Sequence, residues 1–261
     1  MKGKSGCNKS GGGRRRRRTE CLYSRKRTPQ PTGIVYKSGR RYVRVKGMSE
    51  RTIGEMVGNN LLLLFLVDET SKEGKVENDL KAQKLVFLSQ KLMVQRKLKA
   101  FNYNFFRWKK GPYCADLSND IKRLRAVGLL RKNAGQFELT DLGRSVISNC
   151  EDELADWTDF IKAIRETARE YGKFTPDELK ERVYDTAVFV PKDHKLMKIR
   201  DIEEKKLILF KLSEEKARKI LNLSENWQAT LEIAFSKEAQ DSLRMAQRDA
   251  IEGRVCDFNS L

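Results

Sequence analysis

The chain has 261 residues, of which 39% are hydrophobic and 34% are charged, a composition typical of a globular protein with polar extensions. Its most apolar run, Leu61 to Val67, is far shorter than the ~20 residues needed to span a bilayer, so we expect no membrane association. The net charge is +18, but residues 1–47 alone hold 16 Lys and Arg against one acid. The other 38 basic and 35 acidic residues nearly balance, which argues against a strong DNA-binding charge outside that region.

Residues 1–47 are predicted to be a disordered basic tail, because they contain glycine and arginine runs and almost no apolar periodicity. The arginines favour a solvated extension slightly over a nucleic-acid-binding arm. A natural start at Met48 is a third alternative. No secretory signal follows the arginines, and five cysteines without metal-like spacing are typical of thiols in a reducing compartment. We therefore expect a cytoplasmic protein.

Two helices are predicted at the start of the folded part. Ser49 is a suitable N-cap for a helix over about residues 50–66, with a polar connection following over residues 68–74. Asn78 is predicted to cap a second helix, in which leucines recur at helical spacing and should face the core. The lysines elsewhere on its helical wheel are Lys81, Lys84 and Lys91.

The aromatic segment 101–108 suits a short strand that Gly111-Pro112 breaks. Four residues define this turn motif: Trp108, Gly111, Pro112 and Tyr113. In the helix that follows, Leu117, Ile121 and Leu124 share one face and should be buried. Its position before a hairpin is that of a recognition helix.

A two-stranded wing is predicted next, with strands at 129–132 and 136–139 around a turn at 133–135, then a helix over 142–147. Residues 48–150 would thus form a winged helix-turn-helix domain. Its candidate DNA-binding residues are Ser118, Asn119, Lys122, Arg123, Arg125, Arg131 and Lys132. Asp116 and Asp120 are expected at the solvated edge of the recognition helix, where they would repel phosphate and favour a protein-facing role.

Residues 151–224 are predicted to be a helical extension. Its helices are expected over residues 151–171, over residues 176–185 from a capping box at Thr175, and over the charged stretch 201–221. The whole chain is therefore expected to be mainly α with a small β component: a winged helix-turn-helix core, a helical C-terminal region and a disordered basic N-terminal tail.

Residues 225–261 form a distinct terminal segment. Ala239, Leu243, Ala246 and Ala250 make a helical stripe, and Gly253 is placed to end that helix. The apolar anchors of this segment have no obvious core of their own to enter, which favours binding to a partner. A terminal helix that packs back on its own domain is the alternative.

The stretches KAQKLVFLSQKL, FNYNFFRWKKGPYCADL and LRAVGLL…FELTDLGRSVI, within residues 80–147, resemble the Panacea-like and related winged-helix families of prokaryotes. Panacea members show tyrosine before the Gly-Pro, where this chain has Lys110. The resemblance implies an antitoxin role.

The C-terminal segment resembles the toxin-binding tail of type II antitoxins. The residues at the matching positions are Trp227, Thr230, Leu231, Asp249, Gly253, Arg254, Val255, Asp257 and Leu261. This resemblance, together with the apolar anchors, gives the candidate toxin-binding residues Trp227, Leu231, Ile233, Leu243, Ala246, Asp249, Ile251, Gly253, Arg254, Val255 and Phe258.

The sequence thus predicts a non-catalytic antitoxin-like protein with a cognate toxin as partner and a body that also binds DNA. The alternative is a winged-helix transcription regulator without a toxin, and either could form a homodimer. We expect no catalytic residues, metal or cofactor, because the single histidine, His194, has no clustered ligands and no phosphate-binding glycine loop is present.

Overall fold

The computed structural model describes residues 34–37, 40–43, 51–150, 156–190 and 195–254. Predictions for most of the basic tail and for residues 151–155 lie outside these ranges, as do those for Ser49, His194, Val255 and Phe258. Within them the protein is mainly helical with a small β component, as predicted.

The helices are α1 Ile53–Glu73, α2 Asp79–Gln95, α3 Ala115–Ala126, α4 Asp141–Asn149, α5 Thr158–Tyr171, α6 Pro176–Tyr184, α7 Glu225–Ala234 and α8 Lys237–Ile251. The strands are β1 Ile34–Lys37, β2 Arg40–Val43, β3 Arg51–Thr52, β4 Leu98–Lys99, β5 Phe105–Trp108, β6 Gly111–Tyr113, β7 Leu130–Asn133, β8 Gln136–Leu139, β9 Ala187–Val190, β10 Lys195–Lys198, β11 Leu207–Leu209 and β12 Lys219–Ile220.

The tail predicted to be disordered contains an antiparallel hairpin, because β1 pairs with β2 and β2 pairs with β3. A two-stranded hairpin alone is marginal in water, and the third strand supplies the additional pairing. Tyr42 lies opposite Thr52, and Val43 lies opposite Arg51.

The central helix α1 starts and ends later than predicted. Thr52 accepts a hydrogen bond from the Glu55 backbone while the Glu55 carboxylate accepts one from the Thr52 backbone, which forms a capping box. The helix continues through the expected connection at 68–74 to Glu73. Charged residues there form helical pairs, as when Lys72 lies 2.9 Å from Glu69.

Asn78 caps α2 as predicted, by accepting a hydrogen bond from the Lys81 backbone. The prediction that the lysines lie away from the core is wrong for Lys81 and Lys84, which are buried. Lys81 donates to the Gly172 carbonyl oxygen at 2.8 Å and lies 2.9 Å from Glu77. The helix is covered on both sides because α5 and α6 also pack on it.

Gly111-Pro112 does not break the aromatic segment but continues it as a hairpin, in which β6 pairs with β5 across a turn at 109–110. Proline lacks a backbone N–H and is tolerated here because β6 is the edge strand of the sheet β11-β5-β6. The predicted break at Gly111-Pro112 was wrong because a Gly-Pro pair is compatible both with the end of a strand and with an edge strand.

The module that follows agrees with the predicted order. Helix α3 leads into the hairpin β7–β8, whose turn has positive φ at Ala134 and Gly135, and α4 begins from a Thr140 cap. Helix, hairpin, helix, hairpin and helix thus succeed one another from α2 to α4.

In the predicted helical extension, α6 begins from the expected capping box at Thr175, and α5 occupies the described part of the preceding helix. The predicted helix over 201–221 is wrong. This stretch instead supplies β11, which pairs with β5, and β12, which runs parallel to β4. Its partners lie about a hundred residues upstream, so local charge patterning carried no information about the pairing.

One hydrophobic core is shared by most of the described helices but not by α8, and it includes Leu62 of α1, Phe87 of α2, Leu124 of α3, Phe160 of α5 and Leu231 of α7. The residues on both sides of positions 150 and 224 therefore share this core, and the domain limits proposed there stay predictions. No helix in the described ranges is both long and apolar enough to cross a membrane.

Candidate functional site

The inner side of α3 rests on a buried ionic cluster. Asp120 is 0% exposed and accepts hydrogen bonds from Arg51 at 2.6 Å and from the Tyr103 hydroxyl at 2.8 Å. Asp116 is also buried, with a carboxylate oxygen 4.0 Å from Arg51. The prediction that Asp116 and Asp120 form a solvated acidic edge is therefore wrong, because the cation that compensates them comes from β3.

The surroundings of this cluster keep Arg51 charged and the Tyr103 phenol neutral. Burial disfavours the Arg51 cation, but Asp120 outweighs that cost and raises the pKa of Arg51. Burial, reinforced by Asp120, raises the pKa of Tyr103 well above its ordinary value, so the phenol stays a hydrogen-bond donor. Burial also raises the pKa of the Cys114 thiol to about 12, which makes it a poor nucleophile.

The outer side of α3 has a basic character. Lys122 and Arg125 are exposed, whereas Arg123 is half-buried with its guanidinium 3.4 Å from Asp120. Ser118 and Asn119 are half-buried, and the Ser118 hydroxyl accepts a hydrogen bond from Gln83 at 3.0 Å. The predicted DNA-binding residues of the helix therefore share one side but differ in accessibility.

The hairpin β7–β8 adds the two other candidate DNA-binding residues. Arg131 is exposed and lies 3.1 Å from Glu138 on the paired strand. The Lys132 ammonium group lies over the Phe137 ring, 5.7 Å from its centroid. The exposed surface of α3 and β7 is therefore rich in cations, and the Glu138 carboxylate lies beside one of them.

The motif turn is anchored from α2. Gln83 accepts a hydrogen bond from the Cys114 backbone and donates one to its carbonyl oxygen. The buried Lys84 ammonium group donates to the Pro112 carbonyl oxygen at 2.8 Å. Burial, together with the positive charges of Arg107 and Lys180, lowers the pKa of Lys84 to about 7. Gly111 and Pro112 are buried at this clamp, whereas Trp108 and Tyr113 are exposed.

The C-terminal segment divides into a docked helix and an undocked one. Leu231 and Phe235, from α7 and its end, are buried in the core, and Trp227 is half-buried against it. Close approach is possible because α1 carries glycine here: a Cβ on Gly54 would lie 3.0 Å from Gln228, and one on Gly58 would lie 3.1 Å from Leu221. Two predicted toxin-binding residues, Trp227 and Leu231, thus pack in or against the hydrophobic core of this chain.

Helix α8 has no buried residue over its whole length. Leu243 is 50% exposed, Met245 59% and Ile251 85%, and Ile233 on α7 is 42% exposed. Ala246 is exposed on the same stripe as Leu243. Among the residues that the structure describes, none covers the predicted anchors on α8.

The end of α8 is ordered by local contacts. Gly253 has a φ of +69°, which glycine adopts at helix ends without strain. Arg254 donates to Asp249 at 2.7 Å, so these two predicted toxin-binding residues pair with each other.

A cleft of about 660 Å³ lies between the start of α1, β12 and α7. Its charged lining consists of Glu55, Lys99, Glu214, Glu225 and Glu232. Lys99 lies 2.9 Å from Glu55 and 3.3 Å from Glu214. Burial opposes ionisation of Glu55, but the lysines Lys211 and Lys99 lower its pKa. Within the described ranges, no three His, Cys, Asp or Glu side chains are grouped to hold a metal ion.

The sequence analysis did not predict the roles of Arg51, Tyr103 and the two buried lysines of α2, Lys81 and Lys84. Long polar side chains on α2 are typical of a solvent-facing side, so this pattern did not indicate burial. Arg51 and Asp120 are 69 residues apart, so their pairing has no short-range pattern.

No protein-family model matches this chain, and comparisons with curated proteins and with solved structures found no match.

Proposed function

We propose that this protein is a non-catalytic, antitoxin-type binding protein of the cytoplasm, in which α8 docks in an apolar groove of a partner toxin. The observation that carries the proposal is the exposure of α8: a 15-residue amphipathic helix has its apolar stripe uncovered. Amphipathic helices commonly bind partners by inserting such a stripe in a groove. At 1.5 Å per residue, α8 offers a contact about 22 Å long.

The arrangement of α7 supports this role. Leu231 and Phe235 fasten α7 to the core, so α8 is presented from a fixed base. The charged residues of α8 balance, with Lys237, Arg244 and Arg248 against Glu238, Asp241 and Asp249. Partner recognition would therefore depend on Leu243, Ile251 and the alanine stripe more than on net charge.

Coexpression tests the antitoxin function. The reading frame next to this gene is expressed alone and with the full chain, and relief of growth arrest by the chain is the expected result. Leu243→Asp with Ile251→Asp should abolish relief by placing carboxylates in the groove. Leu196→Asp, at an apolar residue that is 71% exposed on β10, is the matched control and should rescue normally.

Two results would contradict this assignment. Rescue by the α8 double variant would show that the helix is not the contact. The second result is that the natural chain does not relieve growth arrest and is a dimer by itself. If the α8 double variant is then a monomer, α8 is a homodimer contact and not a toxin contact.

DNA binding by a winged-helix module is a second proposed function, favoured by the burial of Asp116 and Asp120. Their charges are compensated inside the protein, which leaves Lys122, Arg125 and Arg131 to dominate the outer surface. The order of elements from α2 to α4 supports placing α3 as the recognition helix.

A salt titration with duplex DNA tests this second function on the full chain. Replacing Lys122 and Arg125 by alanine should lower the slope of log K against log salt by about 2, since each phosphate contact contributes roughly 0.9. The matched control replaces two exposed lysines elsewhere, Lys195 and Lys216. Equal slopes for the two double variants would remove α3 from DNA binding.

A further inference from the structure

The outer face of the sheet β11-β5-β6 carries a contiguous aromatic patch. Side chains alternate along β5, so Phe105 is buried whereas Phe106 and Trp108 face outward. Phe106 pairs with Tyr113 of β6, and the Trp108 and Tyr113 ring centroids are 6.4 Å apart. These three rings are 42%, 41% and 38% exposed, and we call them the aromatic platform.

The inner face of this sheet packs in the hydrophobic core, whereas the rings of the aromatic platform are partly exposed on the opposite face. Phe105 packs edge-on against Phe87 of α2 at 5.4 Å, within the core. Three adjoining aromatic rings left open on the other face are more than scattered surface residues, since such clusters usually mark binding sites. The platform is separate from α8 and from the candidate DNA-binding residues of α3.

Cations border the aromatic platform. Lys109 and Lys110 form the turn directly after Trp108, are exposed, and make no ion pair with any residue that the structure describes. The adjoining loop before β11 adds Lys205 and Glu204, both exposed. The uncompensated charge beside the rings is therefore positive.

The hairpin β5–β6, which carries the platform, is fixed by hydrogen bonds to side chains and backbone of other elements. Tyr184 donates to the Lys109 carbonyl oxygen at 2.9 Å, and Lys84 donates to that of Pro112 at 2.8 Å. The Arg107 guanidinium lies over the Tyr184 ring, 4.9 Å from its centroid, and donates to the Ile199 carbonyl oxygen. A platform fixed in this way loses little conformational freedom when it binds a ligand.

We propose that the aromatic platform binds single-stranded nucleic acid, with bases stacked on Trp108 and Tyr113 and phosphates next to Lys109 and Lys110. Exposed rings accept the face of any base, and neighbouring lysines neutralise the backbone. Rings alone would suit an apolar protein segment equally well. The two uncompensated lysines in the turn favour a polyanion.

The test compares a labelled ten-residue oligo(dT) with an abasic phosphodiester of the same length, by fluorescence anisotropy at a fixed salt concentration. Any contribution of other basic residues to phosphate binding is the same for both probes, so the affinity ratio isolates stacking. We expect tighter binding of oligo(dT), and a loss of about tenfold in that ratio for Trp108→Ala and again for Tyr113→Ala. Lys109→Ala with Lys110→Ala should weaken both probes alike.

Leu142→Ala, at an apolar residue 52% exposed on α4, is the control and should leave the ratio unchanged. Quenching of tryptophan emission by oligo(dT) should disappear in Trp108→Phe, because Trp157 is buried and Trp227 is half-buried. The same affinity for both probes overturns the proposal. So does equal quenching of Trp108 by deca-glutamate, which would indicate an acidic protein partner.

Discussion

At the scale of single residues, two buried basic side chains, Arg51 and Lys84, hold the region around α3 by different means. Arg51 is neutralised by Asp120, which also accepts a hydrogen bond from Tyr103. Lys84 has no carboxylate and donates to the Pro112 carbonyl oxygen instead. Both side chains lie where local sequence patterns predict solvent, because their partners come from distant elements.

Replacing Asp120 by asparagine should destabilise the fold by about 3–5 kcal/mol, because it leaves the buried Arg51 with only the Asp116 carboxylate, 4.0 Å away, to compensate its charge. Urea unfolding measures the change. Asp141→Asn, at a fully exposed carboxylate, is the control and should leave the unfolding midpoint in place. Pairing Arg51→Met with Asp120→Leu should recover much of the loss, and no recovery would contradict the ion-pair explanation.

Lys84 should make stability depend on pH in the alkaline range. The unfolded lysine has a pKa near 10.5 and the folded one near 7, so the unfolded chain binds more protons between these values. The free energy of unfolding contributed by Lys84 therefore rises as pH increases from about 7 to about 10.5, by up to about 1.4 kcal/mol per pH unit. Below pH 7 its contribution is constant and least favourable.

Urea unfolding at pH 7 and pH 9.5 checks this expectation. The difference in unfolding free energy between the natural chain and Lys84→Met should shift in favour of the natural chain at the higher pH. Lys195→Met, at an exposed lysine, is the comparison and should show no such shift. A difference for Lys84→Met that does not change with pH would refute a neutral buried amine.

At the scale of elements, short polar or glycine-containing motifs set close contacts between neighbours. In LTDLG, Thr140 caps α4 and also donates to the Gly128 carbonyl oxygen at 2.6 Å, which ties the helix to the start of the wing hairpin. Gly143 lies against the backbone of Leu129. The Thr140 and Gly143 positions of the motif therefore join α4 to the hairpin β7–β8, whereas Asp141 and Leu142 between them are exposed.

Gly143→Ala tests that contact. A Cβ at this position would lie 2.3 Å from the Leu129 carbonyl oxygen, so the backbone must move, and overpacking should cost about 1–3 kcal/mol despite the better helix propensity of alanine. Thermal unfolding measures it. Ser145→Ala, on the exposed side of α4, is the matched control. Stabilisation by Gly143→Ala would disprove the close approach.

At the scale of the whole molecule, the described helices α1, α2, α3, α5 and α7 share one hydrophobic core, whereas α8 contributes no buried residue. The helices α5 and α7, which were predicted to lie in separate segments, contribute Phe160 and Leu231 to the core shared with α1. The three surfaces proposed for binding lie outside this packing: α8, the outer side of α3 and the aromatic platform.

Two truncations should separate α8 from the body. A chain ending at Ser236 keeps Leu231 and Phe235 and should unfold at the same denaturant concentration as the full chain, because α8 buries nothing. A chain ending at Ser224 loses both core residues and should be destabilised by several kcal/mol. Equal destabilisation by both truncations, measured by urea unfolding, would mean that α8 packs on the body.

Much of the fold follows from local sequence alone. The caps at Asn78 and Thr175 predicted two helix starts correctly, since capping depends on residues only three positions apart. The stripe on α8 and its end near Gly253 were predicted for the same reason. These are properties of periodicity and backbone conformation within one element.

Only the tertiary structure decided which faces are buried and by what. Asp120 is buried, and not solvated as predicted, because it pairs with Arg51, which is 69 residues away in the sequence. Residues 207–209 form a strand because they pair with β5. Burial and strand pairing depend on the proximity of distant segments, which folding alone creates. Local sequence therefore determined most of the helices, whereas packing decided that residues 207–209 form a strand and which surfaces remain available for binding.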